Sequence, residues 1–263
     1  MEWRKEELLI LVKVYPSPSK KYGETVCSAG LTLSGKWIRI YPVPYRDLPK
    51  NQQFSKFQWI RARVSRVKEK LNRPESHKID PNSIELLEKI PAGKQWGERE
   101  KYFIPYVSQS LEEILDNQKK NNVSLGAFKP KIVTNFIVEK SNNDWDLSQQ
   151  GILNQTSLFY KNRAVLEKIP YRFRYEFICD DNRCKGHNMV ILDWEVFESY
   201  RRWKRIYKNE SDTIAKLKYK WLTYFFRQRE TYFVVGTESQ FGNFMILTLI
   251  SPRRKEGQLK LGF

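Results

Sequence analysis

Two histidines, His77 and His187, and three cysteines, Cys27, Cys179 and Cys184, are all this chain of 263 residues contains of either type. An odd, low cysteine count excludes the disulfide framework of a small secreted protein. It fits a reducing compartment, where clustered cysteines point to a metal or to catalysis. With two histidines a histidine-based nucleophile has few options, and neither lies at local spacing from Cys27. His77 sits in the polar, proline-bearing "NRPESHKID", which reads as a surface loop with Glu75 as a partner for the imidazole. No Gly-x-Ser-x-Gly occurs, and "SAGLTLSGK" and "GTESQFG" lack the spacing of a phosphate-cradling glycine loop. No apolar run approaches the roughly 18 residues of a membrane helix. The run Leu8 to Val12 is too short for a signal-peptide core and stops at Lys13. The expectation is a soluble, unexported, cytoplasmic protein with no membrane contact.

Acidic residues are also in short supply. Asp and Glu number 30 against 47 Lys and Arg, a net charge of +17. A field of that sign draws polyanions, and a pI of 9.7 is the electrostatic footprint of a nucleic-acid binder. An acidic protein partner satisfies the same charge. Aromatic residues, by contrast, make up 14 % of the chain, which argues for a folded core and against disorder.

The patterning predicts an α+β fold. Residues 1–140 read as a β-rich, barrel-like domain with one or two helices. "ELLILVKVYP", "TVCSAGLTL", "GKWIRIYPV" and "FQWIRARVSRV" are its strands, and "LSGK" is a tight turn. Residues 110–122, "SLEEILDNQKKNN", open with a Ser cap signal and two acidic residues suited to the helix dipole. Residues 141–163 are polar and turn-rich, and read as a loop or linker. Residues 164–263 read as a second α+β domain: a strand, a Cys/His loop, a second strand, two helices and a closing hairpin. In "YRFRYEFIC", Tyr171, Phe173, Tyr175 and Phe177 alternate with Arg172, Arg174 and Glu176, so one face is apolar and the other charged.

Two surfaces suit nucleic acid. On the N-terminal strands Trp37, Arg39 and Tyr41 share one face, as do Trp59, Arg61 and Arg63. Such aromatic and guanidinium planes can stack unpaired bases; the ordinary alternative is that these aromatics are core. On the late helices Arg201, Arg202, Lys204 and Arg205 form one basic run, followed by Lys208, Lys216, Lys218 and Lys220. This ridge lies off the apolar stripe and would neutralise phosphates.

The segment "CDDNRCKGH" carries Cys179-x4-Cys184-x2-His187. That spacing suits zinc, but a closed tetrahedral site wants a fourth ligand, and Cys27 is the one cysteine left. Asp180 and Asp181 could serve a hard cation instead, and a metal-free polar hairpin is the plain alternative. A sharper reading places His187, Asp193 and Glu195 on one strand face as a magnesium-dependent nuclease site for DNA or RNA. The plain reading of "DWE" is an Asp193 helix cap followed by a dipole-compatible Glu195. His187 cannot serve both a closed zinc site and free-base catalysis. The reading taken forward is a nucleic-acid-binding protein with a structural zinc. A nuclease, or a basic adaptor subunit of a larger complex, stands behind it.

Overall fold

The computed structural model describes residues 2–67, 73–92, 96–159, 164–237 and 242–254. They form a mixed α+β fold of two compact units, Met1–Lys89 with Glu139–Arg172, and Ile90–Val138 with Phe173–Phe263.

The first unit is built on a closed five-stranded barrel. Its strands are β1 (Arg4–Lys13), β3 (Gly23–Thr32), β4 (Trp37–Val43), β5 (Gln58–Arg66) and β6 (Ser76–Ile79), with β2 (Ser17–Ser19) and β7 (Glu85–Lys89) on its margins. The order runs β1-β3-β4-β6-β5, and β5 pairs back onto β1. Closure removes free edges. The continuous apolar run Leu8–Val12 is fully buried, so β1 is covered on its outward face as well as its inward one. The interior takes Leu8, Ile10, Ile38, Ile40, Ile60, Ala62 and Val64, the alternation expected of half-buried strands. The β3–β4 turn falls at "LSGK", where Gly35 has φ +76, a left-handed value glycine adopts without strain. Gly30 on β3 is needed for a different reason. A Cβ there would stand 2.8 Å from the Leu9 carbonyl carbon, so the barrel wall admits no side chain.

His77 is not in a surface loop. It lies on β6 at 5 % exposure, where its Nδ1 donates to the Glu75 carbonyl at 2.9 Å. The segment 141–163, expected to be loop, contains helix α3 at Leu147–Phe159. The start signal is "DLSQ": Gln149 N donates to Asp146 Oδ1 at 2.8 Å, and Asp146 N donates to Gln149 Oε1 at 3.2 Å. This is a reciprocal capping box with Asp in place of Ser. Residues 160–163 of that segment lie outside the described residues.

In the second unit lie α1 (Gly97–Phe103), α2 (Leu111–Asn121), α4 (Trp194–Tyr207) and α5 (Glu210–Lys218). Its strands are β8 (Leu125–Phe128), β9 (Ile132–Lys140), β10 (Tyr171–Ile178), β11 (His187–Ile191), β12 (Tyr232–Thr237) and β13 (Phe244–Ile250). They form a six-stranded sheet in the order β8-β12-β13-β11-β10-β9. The aromatic face of β10 is its core: Phe173 and Tyr175 are fully buried and Phe177 is 1 % exposed, with the rings of Phe128, Phe136 and Phe233 within 6 Å. Strands β12 and β13 are antiparallel as expected, and residues 238–241 of their connection are outside the described residues. The helix α2, assigned from sequence to the N-terminal domain, packs in this second unit. That placement decides the site.

Candidate metal centre and nucleic-acid interface

Strands β10 and β11 are antiparallel, with Phe177 opposite His187. The connecting loop therefore returns Cys179, Cys184 and His187 to one end of the strand pair. Gly186, at φ +92, makes the final turn into β11. Polar contacts fix the loop to α2. The Ser110 hydroxyl caps α2 by accepting from Glu113 N at 3.1 Å and donates to Asp181 Oδ2 at 2.9 Å. Arg183 bridges Asp181 and, at 2.6 Å, Asp116 of α2. The Arg183 guanidinium, foremost, holds the Asp181 carboxyl far below its ordinary range. Asp180 pairs with Lys131 at 2.8 Å. Both loop aspartates are thus engaged in ion pairs rather than offered to a hard cation.

These contacts bring the second residue of α2, Glu112, against the loop. Ligand atoms of Glu112, Cys179, Cys184 and His187 all lie within 4.8 Å of one another. With bonds of about 2.3 Å to sulfur and 2.0–2.1 Å to nitrogen or oxygen, tetrahedral ligands stand roughly 3.3–3.8 Å apart. Closing on an ion requires the wider pairs to draw together and the His187–Glu112 pair to open. His187 Nε2 is 2.7 Å from Glu112 Oε1, and the Cys179 N–H donates to Cys184 Sγ at 3.2 Å.

The electrostatics favour an ionised Glu112 carboxylate beside a protonated Cys179 thiol. Burial works against ionisation of Glu112. Its own backbone N–H, His187 and the two thiols outweigh burial and hold the carboxyl below its ordinary range. Oε2 of Glu112 is buried without a hydrogen bond on a residue only 8 % exposed, and such an atom normally has a partner. Burial, above all, pushes the Cys179 thiol well up, against the Leu111 N–H at the start of α2. A cation would reverse that preference and bind the thiolate. The four residues could hold a metal ion.

Cys27 is not among them. It is half-buried on β3 at the point where β3 and β4 slip register, and Glu112 stands in the position expected for it. The signal for Glu112 was present in "SLEEIL", but an acidic first turn reads equally as a dipole partner.

The grouping of His187 with Asp193 and Glu195 is not assembled. Asp193 is fully buried and caps α4 by accepting from Glu195 N at 2.9 Å. Its other oxygen accepts from Thr248 Oγ1 at 2.7 Å and Leu249 N at 2.8 Å. It ties α4 to β13 and faces no solvent. Glu195 is exposed on the first turn of α4.

Of the strand-face residues, Arg39 and Trp59 are buried, at 7 % and 9 % exposure. Arg61 is held between Glu7 at 2.7 Å and Glu85 at 3.1 Å, and Arg63 pairs with Asp80. Trp37 is half-buried. Tyr41 stays open at 39 %, edge-on to Tyr22. The stacking face expected on these strands is covered at two positions and charge-neutralised at two more.

The α4–α5 hairpin is different. Arg202, Lys204, Arg205, Lys208 and Lys218 are exposed and Lys216 is half-buried. Arg201 pairs with Glu198 at 2.6 Å. Lys208 closes α4 in the left-handed conformation, and Asn209 caps α5. Lys220 leaves the ridge. It sits in a π-helical turn, Tyr219–Tyr224, whose wider winding alters the phase of the helix face. Its ammonium lies 4.6 Å from the Trp221 ring centroid and 5.3 Å from that of Trp203, and donates to Ser199 Oγ at 3.2 Å. Burial, first, and then Arg202 and Arg229 lower its pKa against Glu195 and Asp193.

Residues 107–261 match the family model described as Domain of unknown function (DUF8757), more than half of the chain. The chain belongs to the DUF8757 family. Residues 4–105 match a second model, Domain of unknown function (DUF8758). No curated protein matches the chain. The DUF8757 match holds all four cluster residues and the whole α4–α5 hairpin, whereas the barrel strands fall in the DUF8758 match. No helix among the described residues is long and apolar enough to cross a membrane.

Proposed function

We propose that the chain binds nucleic acid through the α4–α5 hairpin, in a unit whose Cys/His loop is clipped to α2 by zinc. The observation that carries the binding reading is the state of the ridge cations. Arg202, Lys204, Arg205, Lys208 and Lys218 project into solvent, and none is in an ion pair with a described residue, whereas Arg61 and Arg63 on the barrel are neutralised. Unpaired cations along a helical hairpin neutralise phosphates and release counterions.

Zinc suits the ligand chemistry. Two thiols and an imidazole favour a borderline-soft ion, and magnesium prefers an all-oxygen shell. Only Glu112 offers oxygen within the cluster, and four protein ligands close a tetrahedron, which supports a structural role.

Fluorescence anisotropy with labelled DNA and RNA oligonucleotides, titrated from about 50 to about 200 mM salt, tests the binding reading. The expected result is a steep loss of affinity with salt. The Arg202→Ala, Arg205→Ala, Lys208→Ala triple variant weakens binding to all sequences and lowers the salt slope by about three. Weak binding that neither salt nor the triple variant changes overturns the reading and leaves a basic adaptor with an acidic protein partner.

A further inference from the structure

The ridge carries more than charge. Tyr219 is 51 % exposed, Ile206 56 % and Tyr207 39 %. The aromatic neighbours Trp221 and Tyr200 are turned into the unit, at 1 % and 0 %. Two tyrosines are thus left exposed, whereas Trp194, Phe197 and Trp203 of α4 are half-buried. Tyr207 is the last residue of α4, and Tyr219 is the first after α5. At 1.5 Å per residue, the nine residues of α5 span about 14 Å between the turn that follows Tyr207 and Tyr219 at the far end. Tyr219 has a cation against its ring, and Tyr207 has basic neighbours in the chain. Lys216 Nζ is 5.5 Å from the Tyr219 centroid, Lys218 precedes Tyr219 in the chain, and Arg205 and Lys208 bracket Tyr207.

We infer that this surface takes single-stranded nucleic acid, with unpaired bases stacked on Tyr207 and Tyr219 and the intervening phosphates on Lys208, Lys216 and Lys218. The inference rests on the nucleic-acid reading and narrows it. A duplex presents phosphates and hides the faces of its bases, so it uses the cations and leaves the tyrosines wet. A single strand uses both. Base-on-aromatic stacking tolerates any sequence, because every base has a π-face, and contributes about 1–3 kcal/mol per base. The π-helical turn beginning at Tyr219 supports the same assignment. That geometry is rare and is found disproportionately at functional sites. Here it accompanies a Lys220 drawn inward and a Tyr219 left outside.

The test compares one mixed-sequence oligonucleotide, as DNA and as RNA, with its own duplex, against the wild type and Tyr207→Ala, Tyr219→Ala and Tyr219→Phe. Thermal melts confirm folding of these surface variants. The single strand is expected to bind about tenfold or more tighter than the duplex. Each alanine variant loses about tenfold in single-strand affinity, with duplex affinity and salt slope unchanged, and Tyr219→Phe retains the wild-type value. Equal or tighter duplex binding, or alanine variants indistinguishable from wild type on the single strand, overturns the inference while leaving the charge-based reading intact. Failure of both forms to bind overturns the two together, and binding to vesicles of acidic lipid in that case identifies the ridge as a membrane-surface patch.

Discussion

His187 Nε2 stands 2.7 Å from Glu112 Oε1, joining the first residue of β11 to the second residue of α2. The contact spans 75 residues of sequence and seats a helix start against a loop that already holds two cysteines. Purified protein is expected to carry one equivalent of zinc by elemental analysis. Cys179→Ser, Cys184→Ser and Glu112→Ala each weaken retention at least about a hundredfold, the upper range for losing even a supporting residue around a metal. Cys27→Ser leaves it unchanged. Cobalt substitution reports the donor set directly: two thiolates give a strong charge-transfer band that either cysteine variant diminishes. Metal loss in Cys27→Ser, with full retention in Glu112→Ala, would restore the all-cysteine-and-histidine site and displace this one.

Much of this arrangement is readable in the residues, and the exceptions have physical causes. The alternation of Tyr171, Phe173, Tyr175 and Phe177 predicts a strand with one apolar face because the side-chain period of a strand is two, and each of the four is buried. Ser110 announces the start of α2 through a short-range cap that depends on nothing distant. Burial of Arg39 and Trp59 depends on what else covers an outward strand face, and alternation along one strand cannot show that. Glu112 is hidden for a related reason. Its local role in the first turn of a helix is sufficient, and only the packing of α2 in the second unit gives it another. His77 misleads through composition, since the polarity around it belongs to a β6 strand in which Ser76, His77 and Ile79 are all buried.

That histidine gives the barrel a pH dependence. Desolvation, first, lowers the His77 pKa; Arg4 and Arg66 act in the same direction, against the Glu75 carbonyl and Glu6. The folded state thus holds the neutral imidazole, and the unfolded chain protonates near its ordinary value of about 6.5. The stability tied to the neutral ring is fully present above that value. It is lost as pH falls below it toward the depressed folded pKa, because the unfolded state then binds the extra proton. Melting temperatures at about pH 8 and about pH 5.5 are expected to fall further in the wild type than in His77→Gln. Parallel curves for the two proteins would show that His77 titrates alike in both states.

Asp193 separates a structural from a catalytic reading of "DWE". Its carboxylate receives three donors: Glu195 N, Thr248 Oγ1 and Leu249 N. Truncation to alanine removes the cap of α4, a loss of about 1 kcal/mol, and leaves two buried donors unsatisfied at about 1–3 kcal/mol each. Asp193→Ala is therefore expected to lose about 3–7 kcal/mol in denaturant unfolding, with an unchanged denaturant slope if the native state stays compact. Asp193→Asn keeps acceptor oxygen at the cap and loses less. Nucleic-acid affinity of the folded fraction should match wild type, because the carboxylate is fully buried and faces β13 rather than the ridge. An Asp193→Ala protein within about 1 kcal/mol of wild type would mean that these three hydrogen bonds contribute little, and would return Asp193 to consideration as a group kept for chemistry.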